Sequence, residues 1–404
     1  MNWKNLLVVI LLSGSFSAFA QETETQKPTA KFYGYINWET IFDSHESITT
    51  RDGELYLFPD APTDDSDNAQ LEMLALQTRM GAKIDGGSVL GAKLSGTIEG
   101  DFFATSEAYK RQFRMRHAFM KLKWAKSSLL MGQYWHPMFG PDVFPKTIQF
   151  GASVIYNPLN RSPQIRYTYF PTSNFKIAAA ALAHGYHFSK GPEDAHKNAA
   201  IPDMQLQITY GSKKSFLTGI TAGYLMIEPR DSTLNGGINQ ETVNSYNLQW
   251  FGMAKAGNLT INAKASYGQN MSQYVMIGGY GRLADEMANT GNFGYTPYKV
   301  LAVFADLGYK LSENLHAGLF AGYTENMGTV DEVAGNIQAR GANIMNIYRI
   351  SPRLVYNLGK FRCGLEYAYN SAAYGEGNAD EYGIYDDTKD AVNHRFILSA
   401  RFSF

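Results

Sequence analysis

Cysteine is almost missing from this chain. Cys363 stands alone among 404 residues, so no intrachain disulfide is available. A surplus of either charge is missing too. Thirty-six basic residues meet 37 acidic ones, for a formal net charge of −1, which leaves nothing to grip a phosphate backbone by counterion release. No nucleic-acid partner is expected. Past residue 20 the chain holds no apolar run of about 18 residues, the shortest that spans a bilayer as a helix. A G-x-S-x-G elbow, a phosphate loop and a dinucleotide fingerprint are also missing, so no enzyme and no cofactor are expected. His184, His187 and His196 stand without a cysteine or an HExxH frame, so no metal site is expected there either.

Glycine (38), tyrosine (26) and phenylalanine (24) are plentiful, while charged residues make up only 18%. Disorder needs the opposite composition. Residues 1–20 read as a cleaved secretory signal. Lys4 supplies the positive start, Leu6 to Leu12 the apolar stretch, and Ala18-Phe19-Ala20 the small-x-small cut. An exported chain without a transmembrane helix is either soluble or a membrane barrel, and periodicity decides between them.

The final segment alternates. Phe396, Leu398, Ala400, Phe402 and Phe404 fall on one face, and Arg395, Ser399, Arg401 and Ser403 on the other, with Ile397 the exception. The same period of two recurs in 360–370, 343–358, 258–267 and 204–210, and about sixteen such segments of roughly ten residues can be counted, the length of a tilted bilayer-spanning strand. Short turns, near Asp85-Gly86-Gly87, Ser212-Lys213-Lys214 and Leu358-Gly359 among others, alternate with long polar stretches at 43–69, 137–163, 187–202, 229–240, 269–293, 325–341 and 371–390. A sandwich has no reason to alternate so; an up-and-down barrel does. The expected fold is all-β: a transmembrane antiparallel up-and-down barrel of about sixteen strands over residues 31–404, preceded by a short periplasmic segment at 21–30.

Lys31-Phe32-Tyr33-Gly34-Tyr35-Ile36 followed by Asp43, then Thr78-Arg79, Glu99-Gly100-Asp101-Phe102-Phe103, Arg114-Met115-Arg116-His117-Ala118-Phe119, Gly132-Gln133-Tyr134-Trp135 and Pro163-Gln164-Ile165-Arg166-Tyr167-Thr168 lie in order over residues 31–170. These blocks resemble the DcaP-like trimeric porins of Gram-negative outer membranes. The C-terminal half resembles them only in its strand pattern. The resemblance implies a homotrimeric diffusion channel with arginines lining its constriction and a leaning toward anionic solutes. Members of that family often carry an N-terminal periplasmic coiled coil; Gln21 to Ala30 has no heptads.

Arginine on the lipid face at mid-bilayer costs about 2–4 kcal/mol, so strand arginines should point inward. The pore-lining candidates are Arg79, Arg114, Arg116, Arg166, Arg349, Arg353, Arg395 and Arg401, with Lys93, Lys264 and Arg362 on the same side. Glu99, Asp101, Asp306 and Glu366 are their acidic counterparts, and inward arginines and carboxylates could equally pair across the wall, as Arg362 and Glu366 would on one strand face. A guanidinium suits carboxylates because its fork meets two oxygens at once. The 137–163 stretch carries Phe139, Phe144 and Phe150 with Pro137, Pro141 and Pro145, and is the candidate constriction loop; an external loop over a trimer interface is the other reading.

The 43–69 stretch is acidic, with Asp43, Glu46, Asp52, Glu54, Asp60, Asp64, Asp65 and Asp67 against Arg51. It reads as a solvated loop, or as one bridged by divalent cations to lipid phosphates. Trp135 and Trp250 fit interfacial belts. His117 and His394 have outward parity. The expected partners are outer-membrane lipid and lipopolysaccharide, two further copies of the chain, and small anionic solutes. A structural or adhesive barrel with a plugged lumen is the alternative.

Overall fold

The computed structural model describes residues 27–50, 54–63, 65–109, 111–233, 235–283 and 293–404. The signal segment 1–20, most of 21–30, and Arg51, Asp52 and Asp64 of the acidic stretch lie outside the described residues. In chain order the strands are β1 (Thr29–Asp43), β2 (Ser47–Thr49), β3 (Tyr56–Pro59), β4 (Gln70–Leu74), β5 (Arg79–Val89), β6 (Ala92–Asp101) and β7 (Arg114–Lys123). There follow β8 (Ser127–Trp135), β9 (Arg161–Thr172), β10 (Phe175–Leu182), β11 (Asp203–Ser212), β12 (Phe216–Ile227), β13 (Val243–Ala256) and β14 (Leu259–Gln269). The last are β15 (Gly278–Arg282), β16 (Tyr295–Lys310), β17 (Leu315–Thr329), β18 (Gln338–Arg340), β19 (Ile344–Leu358), β20 (Phe361–Gly375) and β21 (Thr388–Ser403).

Strands β2 and β3 form a separate hairpin, and β15 and β18 are short extensions at the rim. Strands β4 and β5 both pair with β1 and act as one wall strand, broken at 75–78. The wall is then a closed sixteen-strand antiparallel barrel, with β1 bonded to β21 as well as to β4 and β5. Closure is what hydrocarbon demands, since an open edge would leave backbone groups without partners.

Alternation appears directly as exposure. Phe396 (48%), Leu398 (43%) and Phe402 (49%) stand open on the outer face, while Arg395 between them is 1% exposed. Ile397, the exception to the pattern, points inward and packs with Ile148, Ile41, Tyr56 and Val355. Two bulges shift the parity read from sequence. Gly86 and Gly87 lie in a strand irregularity rather than a turn, and the chain reverses at Leu90 and Gly91, both at positive φ (52° and 70°). A register shift opposite Glu99 and Gly100 turns both Arg116 and His117 inward. His117 is therefore not outward; it is buried, 4.0 Å from Glu99.

The largest apolar cluster sits inside the barrel, the reverse of a soluble protein. Leu55, Leu57 and Phe58 from the stretch after β1 meet Met138, Phe139, Val154, Ile155 and Tyr156 from the stretch after β8. Met271, Tyr274 and Ile277 join them, against Val300, Ala302, Phe304, Phe320 and Ile347 of the wall. The acidic 43–69 stretch is thus not simply a solvated loop, because its Leu55-Tyr56-Leu57-Phe58 run is driven inward by its own apolar area.

Candidate functional site

Residues 136–160 leave β8 and fold into the lumen, held by wall side chains from many directions. Gln207 and Gln249 donate to the carbonyls of Pro137 (3.2 Å) and Met138 (2.9 Å), and Thr324 donates to that of Ile155 (2.7 Å). Lys264 donates to the Phe139 carbonyl and to Asn157 Oδ1 at 2.9 Å, so it pins the loop rather than lining a pore. Backbone N–H groups of Lys146 and Ile148 donate to Asp306 (3.0 Å) and Glu366 (2.5 Å). Asp142 bridges Lys176 (3.1 Å) and Lys213 (2.5 Å). Burial would raise the Asp142 carboxyl, but the two ammonium groups hold it below the usual carboxylate range. A loop fixed at so many points has a defined surface.

Between that surface and the wall lies a cavity of about 450 Å³. Arg79, Arg116, Arg161, Arg362, Arg401 and Lys146 line it, and Glu54 is the one carboxylate among the lining residues. Trp135, Phe139, Phe144 and Phe150 supply an aromatic side. Trp135 therefore belongs to the lumen and not to an interfacial belt, because β8 runs straight into the inward-folded loop and carries the indole with it. A second cavity of about 690 Å³ shares Pro141, Lys146 and Arg362 with the first, and adds Lys213, Lys255, Lys310, Arg353, Asp142 and Asp306.

The arginines expected at the pore divide by their partners. Arg79 lines the first cavity, 3.7 Å from Glu99. Arg116 lines it too, held by Glu99 (2.9 Å) and Asp101 (2.8 Å). Arg401 completes the group, bonded to Asn37 (2.9 Å) and Gln77 and lying 4.0 Å from the centre of the Tyr35 ring. Arg353 lines the second cavity and is forked onto Asp306 at 2.7 and 3.1 Å.

Four others line neither of these cavities. Arg114 is shut between Asp101 and Glu54, both at 2.6 Å. Arg395 is held by Asp43 (2.7 Å) and by Gln149 (3.2 Å) of the inward loop. Arg349 donates to Asn370 at 2.5 Å beneath Tyr156. Arg166 donates to the Trp135 carbonyl at 2.6 Å. Expected partners also change: Glu366 accepts from Ile148, and Arg362 faces both cavities with no carboxylate in ion-pair range among the described residues. Lys93 pairs with Asp85 at 3.0 Å on the exposed part of the wall.

Arg161, one of the three charges of the candidate constriction loop with Asp142 and Lys146, lines the first cavity. It opens β9 where the inward loop ends, and only 1% of it is exposed. Its guanidinium lies 4.2 Å from the centre of the Tyr186 ring and 4.9 Å from that of Trp135. Nε and one Nη have no hydrogen-bond partner. Its position directly after a loop of aromatics and prolines was the available signal. His184 and His196 stack at 4.3 Å away from this cavity, and no group of three metal-ligating side chains forms among the described residues.

A closed sixteen-strand antiparallel barrel with a long loop folded into its lumen has the architecture of the porin class. Among solved structures, the outer membrane channel DcaP of Acinetobacter baumannii is similar over 94% of this chain and 99% of that one, with a TM-score of 0.72 and 18% identity. An anion-selective porin from Comamonas acidovorans is similar over 94% and 100%, with a TM-score of 0.58 and 8% identity. The trimer form of OmpT, an outer membrane protein of Vibrio cholerae, is similar over 94% and 100%, with a TM-score of 0.56 and 15% identity. At these identities the likeness is one of fold. No protein-family model matches the chain, and no curated protein does.

Proposed function

We propose that this chain is an outer-membrane porin of a Gram-negative bacterium. It is a passive, non-enzymatic channel for small hydrophilic solutes, favouring anionic and carboxylated ones. It works as a homotrimer set in outer-membrane lipid and lipopolysaccharide, with residues 137–163 as its constriction loop. The observation that carries this reading is the lining of the first cavity, six cationic side chains against one carboxylate. A wall so rich in fixed cations favours an anionic solute over a cationic one. Glu54 already seats one carboxylate against Arg114 in the same wall. Of the expected arginines, Arg79, Arg116 and Arg401 act at this constriction and Arg353 below it, whereas Arg114, Arg166, Arg349 and Arg395 stiffen the wall and the loops. The fold shared with an anion-selective porin and with a trimeric outer membrane protein supports the reading.

A structural or adhesive barrel with a plugged lumen is the second reading, favoured by the apolar packing of the inward segments. Planar-bilayer recording of the refolded protein under a potassium chloride gradient separates the two. Current steps in threes with an anion-favouring reversal potential are expected, and Arg161→Gln should move that potential toward zero. Silence from correctly folded protein would favour the plug, and cation selectivity would sink the anion reading.

A further inference from the structure

The two ends of the barrel carry opposite charge. Its long connections are acidic: Glu376, Asp380, Glu381, Asp386 and Asp387 lie between β20 and β21 without one basic residue among them. The end with the short turns, which faces the periplasm in such a barrel, is basic. Lys31, Lys93, Lys123, Lys255 and Lys310 each lie within three residues of a strand end there, and Lys83 stands beside Lys31. Parity turns them to the water of the lumen and not to lipid. Lys310 shares its face with inward Asp306, and Lys255 shares its with buried Phe251 and Met253. Lys83 lies 5.2 Å from the centre of the Tyr33 ring, whose hydroxyl donates to Glu99 inside the barrel.

The strand registers put like charges face to face. Lys31 is directly opposite Lys83, Lys93 is opposite Lys123, and Arg362 is opposite Arg401. Like charges so placed destabilise a sheet, so folding alone does not select them. Local carboxylates do not cancel them either. Asp85 takes Lys93 at 3.0 Å, Asp142 is shared by Lys176 and Lys213, and Asp306 is forked onto Arg353. Among the described residues Lys31, Lys83, Lys123, Lys255 and Lys310 make no ion pair, and all five are exposed. The second cavity, of about 690 Å³, gathers Lys255 and Lys310 with Lys146 and Arg362. Another of about 470 Å³ lies at Lys31, Lys83 and Lys93. The constriction offers planar guanidinium forks, whereas this end offers ammonium groups. An ammonium is a compact point charge, so a set of them reads how many charges a solute carries and not its outline. Phosphate groups joined in a short chain present such charges close together.

We propose that the periplasmic vestibule, below the constriction, is a binding site for short condensed phosphates that enter from the periplasmic side. The site needs the vestibule alone, so it goes beyond the anion-channel reading. Calorimetry on the refolded protein in detergent reads it whether or not the pore conducts, with phosphate, pyrophosphate and tripolyphosphate as probes at one ionic strength. Affinity should rise along that series and weaken as salt is raised. Lys255→Gln with Lys310→Gln should weaken tripolyphosphate binding roughly tenfold, about threefold for each exposed ammonium. Lys255→Arg with Lys310→Arg should keep the affinity, because charge is read and not shape. Both side chains are exposed, so neither pair of changes removes packing. In planar bilayers tripolyphosphate should interrupt the current from one side of the membrane only, and the Gln pair should weaken that block. Equal affinity along the series, unaltered affinity in the Gln pair, or equal block from both sides overturns the proposal and leaves the anion reading standing. Tripolyphosphate binding that follows these rules in a channel without anion preference would sink the anion reading alone.

Discussion

The lumen of this barrel has two halves made on opposite principles. Against β16, β17 and β19 the inward segments are packed dry, with Tyr156, Phe304, Phe320, Val300 and Ile347 enclosed. Against β1, β5, β7, β20 and β21 the same segments stop short, leaving a cavity ringed by cations. The dry half does for a loop what a core does for a soluble domain, fixing it by close packing. The wet half then inherits a wall of fixed position. The placement of the cations on one side depends on rigidity supplied from the other.

The comparison can be broken first from the dry side. Phe320→Ala opens a hole beneath Tyr156, where the ring centres are 5.7 Å apart. A buried Phe→Ala change costs about 3–5 kcal/mol, and the urea midpoint in lipid vesicles should fall accordingly. Channel noise should rise with it, because the loop loses its seat. An unchanged midpoint would mean the loop is held by its hydrogen bonds alone.

A cation on the wrong face of the wall sharpens the contrast. Leu398→Arg, on the lipid side between inward Ile397 and Ser399, should destabilise by about 2–4 kcal/mol if it sits near mid-bilayer depth. Arginine three positions back on the same strand, at 395, faces inward and is tolerated because Asp43 receives it at 2.7 Å. Unfolding of the variant in vesicles of different thickness would check the depth dependence.

The smallest expected effect tests the wet side by pH. Lys146 opens into the cavity, yet enclosure within the barrel, with Lys213, Arg362 and Arg353 nearby, pushes it down to about 8 against the pull of Asp306. It carries its charge below that value and loses it above. Anion preference should therefore decline between about pH 6.5 and about pH 9.5, well before an ordinary lysine titrates. Lys146→Met should flatten that step, and a step that survives the change belongs to another group.

Much of this was legible in the sequence, and the limits are physical. Period-two alternation follows from the pleat, so the outer residues of β21 and the inward direction of its arginines could be read from Arg395 to Phe404. Alternation cannot say which carboxylate arrives from across the lumen. Arg395 receives Gln149 from 246 positions away, and Arg114 receives Glu54 from a loop that looked merely acidic. Parity also fails at bulges, as at His117, because one extra residue reverses every inference downstream of it. Arg161 was legible as a charge of the constriction loop but its direction was not, because it sits where loop becomes strand and the loop's packing sets it.

The seam between β1 and β21 has a consequence for how the molecule comes into being. Arg401 and Asn37 touch across it while standing 364 residues apart in the chain. Until that contact forms, the growing sheet presents two raw margins to its surroundings, and every other pairing is provisional. Loop-closure entropy places such a contact late. The barrel therefore has no half-built resting state in which to wait. Joining β1 to β21 is the step that leaves no backbone edge open to hydrocarbon.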